Sequence, residues 1–132
     1  MKVPLLDLKA QYAAIKDEIN KALISVAESQ YFILGPEVKK LEATVTEYTG
    51  TKHAVGVSSG TDALLIALMA IDIKPGDEII LPTYSFFATA GVVARLNAIP
   101  VFVDSDPVSF NIDPSFIEKK ISPKTKAIIP VH

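Results

Sequence analysis

Leu8, Tyr12, Ile15, Ile19, Leu23 and Val26 recur at steps of three or four, which predicts one apolar stripe of a long amphipathic helix with Asp7 as its N-cap. Gly35-Pro36 starts a second helix, with Pro36 at its first position, Val38, Leu41, Val45 and Tyr48 on one face, and Gly50 closing it. The connector between the two carries Tyr31, Phe32 and Ile33. Large apolar side chains in a link pack against something: a neighbouring helix, or an oligomer or ligand contact.

After Gly50 the pattern changes to short apolar runs, at 53–57, 78–81, 99–103 and 127–131, which read as strands. Helical patterns lie between them at 60–71, 86–96 and 114–121, the last capped by Asp113, with turns at Pro75-Gly76-Asp77 and Ser122-Pro123. The order β-α-β-α-β-α-β with near-continuously apolar strands predicts an α/β fold, a parallel sheet with helices on both faces. Its four strands are expected to run parallel, with the loops around Gly60 and Phe86 at one end of the sheet.

The 132 residues fit one domain, and 13 Lys+Arg against 15 Asp+Glu give a net charge of -2 without a basic cluster. That leaves no electrostatic footprint for a nucleic acid or an anionic bilayer, so neither is expected as a partner. The absence of cysteine rules out disulfides, thiolate zinc sites, iron-sulfur clusters and a cysteine nucleophile. His53 and His132 form no close-spaced ligand set, so no metal is expected. The longest apolar run, 63–71, falls well below the ~20 residues of a spanning helix, and Asp7 arrives before a signal-peptide core develops. A cytoplasmic location is the expectation.

Ligands of open parallel sheets sit at the carboxyl ends of the strands. The first of these ends, Ser58-Ser59-Gly60-Thr61, runs directly into a helix. Free backbone N–H groups, hydroxyls and the positive end of a helix dipole then meet at one point, an anion cradle. Gly60 lets an anion approach the backbone, and Thr61 adds a hydroxyl. An ordinary capped helix start, with Asp62 complementing the dipole, accounts for the same residues equally well.

The loop lacks the Gly-Lys-[Ser/Thr] ending of an ATPase and the G-x-G-x-x-G of a dinucleotide site. A phosphoacceptor reading of Asp104 fails because serines stand where a magnesium-binding acidic pair is needed. A small monophosphate fits best. The second strand end supplies Tyr84, Phe86 and Phe87, which suit either core packing or a stacking wall for a flat heteroaromatic ring. Asp104 and Asp106 read as loop acids, and His132 has no evident partner.

The strings FILGPEV (32–38), HAVGVSSGTDAL (53–64), GDEIILPTYSFFATA (76–90), NAIPVFVDSD (97–106) and TKAIIPVH (125–132) follow in order. Together they make the chain resemble, over essentially its whole length, the amino-terminal part of the DegT/DnrJ/EryC1/StrS aminotransferases. These are pyridoxal-phosphate enzymes of the aspartate-aminotransferase-like fold type I that act on nucleotide-linked keto sugars. The resemblance implies that Gly60 and Thr61, with Ser59 near, hold the cofactor phosphate, and that Phe86 stacks on the pyridine ring. It implies a homodimer, with residues 32–35 near the subunit interface, and a nucleotide sugar and an amino donor as small-molecule partners.

It also implies that residues 1–132 are part of the cofactor-binding large domain, with leading helices over 1–50 and the alternating segment over 51–132. The family's pyridine-nitrogen acid and Schiff-base lysine align beyond His132. The chain is therefore expected to be a fragment, inactive by itself and without an assignable catalytic residue. A sugar 3-dehydratase, which carries histidine in place of that lysine, and a non-catalytic binding or scaffold module are the alternatives.

Overall fold

A computed structural model describes residues 3 and 5–132, so part of the stretch weighed as a signal peptide, residues 1, 2 and 4, lies outside the described residues. The chain forms two compact units, Met1–Gly56 and Val57–His132. Among the described residues no helix is long and apolar enough to cross a membrane.

The first unit is helical. Helix α1 spans Leu8–Ser29, and the Asp7 carboxylate accepts the Ala10 N–H at 3.0 Å, the N-cap the sequence predicts. Helix α2, Pro36–Thr49, has Pro36 at its start and ends at Gly50, whose φ of 69° lets its N–H reach back to the Thr46 carbonyl at 3.0 Å. Gly35 permits the turn between them, because a Cβ there would lie 2.5 Å from the Tyr31 carbonyl oxygen. Of the two readings of the connector, burial beneath a neighbouring helix is not what the chain shows. Phe32 is 62% exposed and Ile33 87%.

The second unit is the α/β part. Helix α3 spans Gly60–Ala70, strand β1 Glu78–Pro82, helix α4 Ala88–Arg95 and strand β2 Ile99–Val103. A short helix α5, Pro114–Ile117, continues as one 3₁₀ turn over Glu118–Lys120 before strand β3, Thr125–Ile128. Asp113 caps α5 as expected, accepting the Ser115 N–H at 2.8 Å. The sheet order is β2-β1-β3, with β1 parallel to both neighbours. Ile80 faces Val101 on one side and Ile128 on the other.

Central β1 is apolar from Ile79 to Pro82 because both its faces are buried there. Ile79 and Leu81 pack with Leu68 of α3 and Val92 and Val93 of α4, while Ile80 packs on the opposite face with Val103 and Ile112 and is flanked by Ile117 of α5. Covering both faces in this way is the predicted architecture.

Two expectations are corrected. Residues 53–57 form no strand, so the parallel sheet has three strands, not four. A strand is defined by its ladder, and in this run the Gly56 N–H goes instead to the Glu42 carboxylate at 2.8 Å. The last strand sits at Thr125–Ile128, not at 127–131: the Ile129 N–H still donates to Ile80 at 2.8 Å, but Pro130 has no N–H to continue.

Candidate functional site

The segment entering α3 has extended backbone at Ser59, with φ -161° and ψ 163°. The Ser59 hydroxyl accepts the Asp62 N–H at 3.1 Å and its carbonyl accepts the Ala63 N–H at 2.9 Å. Those contacts account for the third and fourth first-turn donors of α3. The N–H groups of Gly60 and Thr61 have no intrahelical carbonyl to reach, and no acceptor among the described residues takes them. A Cβ added at Gly60 would meet nothing within 4 Å, so the space on that side of the residue is open.

The hydroxyls of Ser58 and Ser59 both turn to the Asp62 carboxylate, the second at 3.1 Å. Those two hydrogen bonds, Ser58 first, hold the Asp62 carboxyl below its ordinary value, helped by the positive charge of Arg95. The capped helix start and the open pair of N–H groups are therefore features of the same turn.

Strand β1 ends at Pro82, and the chain turns through Thr83-Tyr84-Ser85 to present Phe86, 79% exposed. Thr61 and Phe86 line one pocket of about 430 Å³ together with Phe87, Gly91 and Arg95. The structure thus brings Thr61, at the start of α3, and Phe86, beyond β1, onto one cavity wall, beside Gly60 and Ser59. The pocket is mostly apolar, with Thr61 and Arg95 the polar residues among those that line it. Sequence reasoning missed Arg95, because a basic residue in the last turn of a helix reads as dipole compensation and nothing local ties it to Thr61.

Phe86 also borders a second pocket of about 510 Å³, with Tyr84, Phe110, Asn111 and His132. Tyr84 and Phe110 stack there, centroids 6.0 Å apart and planes tilted by 48°. Phe110 has φ 60°, unusual for a bulky residue, and the turn is held by Asp106, whose carboxylate accepts the Ser109 N–H at 2.7 Å and the Val108 N–H at 3.1 Å. The Ser109 bond, above all, keeps the Asp106 carboxyl below its ordinary value, in keeping with its reading as a loop acid.

Residues 13–132 match the model of the DegT/DnrJ/EryC1/StrS aminotransferase family. A pleiotropic regulatory protein of Geobacillus stearothermophilus is 54% identical over 132 residues, 100% of this chain and 36% of the relative. The UDP-2-acetamido-2-deoxy-3-oxo-D-glucuronate aminotransferase of Pseudomonas aeruginosa is 46% identical over 129 residues, 98% of this chain and 36% of that protein. The crystal structure of DesV from S. venezuelae, in complex with a ketimine intermediate, superposes with a TM-score of 0.93 at 43% identity over 99% of this chain and 35% of its own. A GDP-4-keto-6-deoxymannose-3-dehydratase with a trapped PLP-glutamate geminal diamine gives 0.77 at 35% identity over 84% of this chain and 30% of its own. The chain spans about a third of the length of the curated relatives it matches. With its fold shared with these enzymes and the family's model covering all but the first twelve residues, the chain belongs to the DegT/DnrJ/EryC1/StrS aminotransferase family.

Proposed function

We propose that this chain supplies the phosphate cradle and ring-stacking wall of a pyridoxal-phosphate-dependent aminotransferase acting on a nucleotide-linked keto sugar. The observation that carries the reading is the shared pocket of Thr61 and Phe86. Its residues fit the cofactor: two unclaimed N–H groups and a hydroxyl suit a phosphate, the space before Gly60 admits it, and an exposed phenylalanine suits a flat ring.

Gly60 and Thr61 bind the phosphate through their N–H groups, and Thr61 adds its hydroxyl. Ser59 holds the turn in register as its N-cap. Phe86 orients the ring by lying against one face and excludes water from it. Pyridoxal phosphate, when bound, supplies the electron sink through which an amino group passes from donor to sugar. The exposed connector around Phe32 and Ile33 suits burial against a second copy of the chain.

In the full-length protein, replacing Thr61 with Val removes a hydroxyl donor to a charged phosphate, a bond of about 1.5–3 kcal/mol, so pyridoxal-phosphate affinity falls roughly 10- to 150-fold in a fluorescence titration. Phe86→Ala loses a stacking contribution of about 0.5–1.5 kcal/mol, or roughly two- to tenfold, while inorganic phosphate competes as before. Unchanged affinity in both variants would refute the site. A sugar 3-dehydratase is the second reading, favoured by the likeness to the dehydratase structure; an amino sugar as product decides for the first and a deoxy sugar for the second.

A further inference from the structure

Thr89 is the polar residue most buried among the described residues, 5% exposed. Its hydroxyl lies 2.7 Å from that of Ser85, four residues earlier. Its N–H donates to the Phe86 carbonyl at 3.1 Å, and the next bond along, Gly91 N–H to Phe87 carbonyl, is 2.9 Å. A Cβ at Gly91 would come within 3.0 Å of the Phe87 ring, so that ring lies directly on the first turns of α4.

Phe87, 81% exposed, thus keeps one side against α4, and Phe86 is nearly as exposed. At 79% exposure its ring is gripped by little of the chain, and its direction is set by its backbone. The backbone of Phe86 is bracketed by the Ser85–Thr89 hydroxyl pair and by its own carbonyl bond to Thr89. A buried hydroxyl without a partner is unfavourable, and threonine is stiff about its first side-chain torsion, so Thr89 holds Ser85 in place.

We infer that the Ser85–Thr89 hydroxyl pair positions Phe86: it is a clamp between loop and helix that aims the stacking ring at a bound cofactor. The inference rests on the assignment of Phe86 to the cofactor ring. Neither hydroxyl need touch the cofactor, so both are positioning residues.

The test uses the full-length protein with Thr89→Val, which keeps the shape and removes the hydroxyl, Ser85→Ala, and Thr89→Ser as the conservative rescue. Three quantities are measured: pyridoxal-phosphate affinity, competition by inorganic phosphate, and amide hydrogen exchange across residues 84–91 without cofactor. Thr89→Val and Ser85→Ala should each weaken pyridoxal phosphate about five- to tenfold, leave inorganic phosphate within about twofold, and speed exchange at the Thr89 N–H about tenfold. Thr89→Ser should restore all three.

Exchange unchanged in Thr89→Val overturns the clamp. So does an equal loss of affinity for both anions, which marks a general loss of structure, and so does faster exchange with undiminished cofactor affinity while Phe86→Ala weakens it. If Phe86→Ala itself leaves affinity unchanged, the cofactor assignment has failed, and hydrogen exchange alone then decides whether the pair pins the loop.

Discussion

Asp62 shows how one side chain in the α3 turn serves two demands. Its carboxylate collects the hydroxyls of Ser58 and Ser59, which keeps two donors ordered, and it belongs to the same turn as the Gly60 and Thr61 N–H groups proposed to bind a phosphate. Because those hydrogen bonds hold its folded-state value below the ordinary carboxyl value, the ionised form is favoured by folding. Its contribution to stability is therefore complete above the unfolded value of about 3.9 and is lost as pH falls through the lower folded value. A carboxyl titration followed by NMR should place Asp62 below 3.8 and move it upward more in Ser58→Ala than in Ser59→Ala, the reverse order contradicting the assigned cause. Asp7 and Asp113 were legible as caps, and a capped start to α3 was legible without the choice of Ser59, since a cap is an interaction within three residues. The partnership of Thr61 with Phe86 and Arg95 was only half legible. Thr61 and Phe86 were each readable at a loop, but no local pattern reports that the two loops converge or that Arg95 of α4 joins them.

Among elements, β1 carries the fold of the second unit. Ile79 and Ile80 are both 0% exposed and serve opposite faces, so deleting either side chain leaves a cavity that neighbours on two layers cannot close. Ile80→Ala should destabilise by about 2–5 kcal/mol in urea unfolding, whereas Leu23→Ala, on the exposed stripe of α1, should change stability by about 0.5 kcal/mol or less. Equal effects would show that β1 is not the centre of the core. The apolar run read at 78–81 announced this burial, as did the helix-strand alternation that predicted parallel pairing. The run at 53–57 looked alike in composition and became no strand, because pairing depends on a partner elsewhere in space.

For the whole molecule, β2 and β3 flank β1 and each leaves one edge unpaired among the described residues. Tyr31, Phe32, Ile33 and Leu34 add a run of exposed apolar surface, from 62% to 87%. Open edges and contiguous apolar surface both favour association. Residues 1–132 expressed alone should sediment as dimers or larger species at tens of micromolar, roughly the range where such contacts act. A well-behaved monomer would show that these surfaces are inert.

Sequence alone determined whatever depends on near neighbours and on the solvent preference of each side chain. This includes the start of α1 at Asp7, the proline entry and glycine exit of α2, the start of α3 after Ser59, the burial of β1 and the α/β class. It also placed hydroxyls and a glycine at the start of α3, and aromatic rings beyond the end of β1, where ligands of such sheets sit. Tertiary structure decided which apolar runs became strands, the order β2-β1-β3, and the meeting of Thr61, Phe86 and Arg95 on one pocket. Those outcomes rest on contacts between residues far apart in the chain, and their free energy comes from surfaces that face each other only after folding.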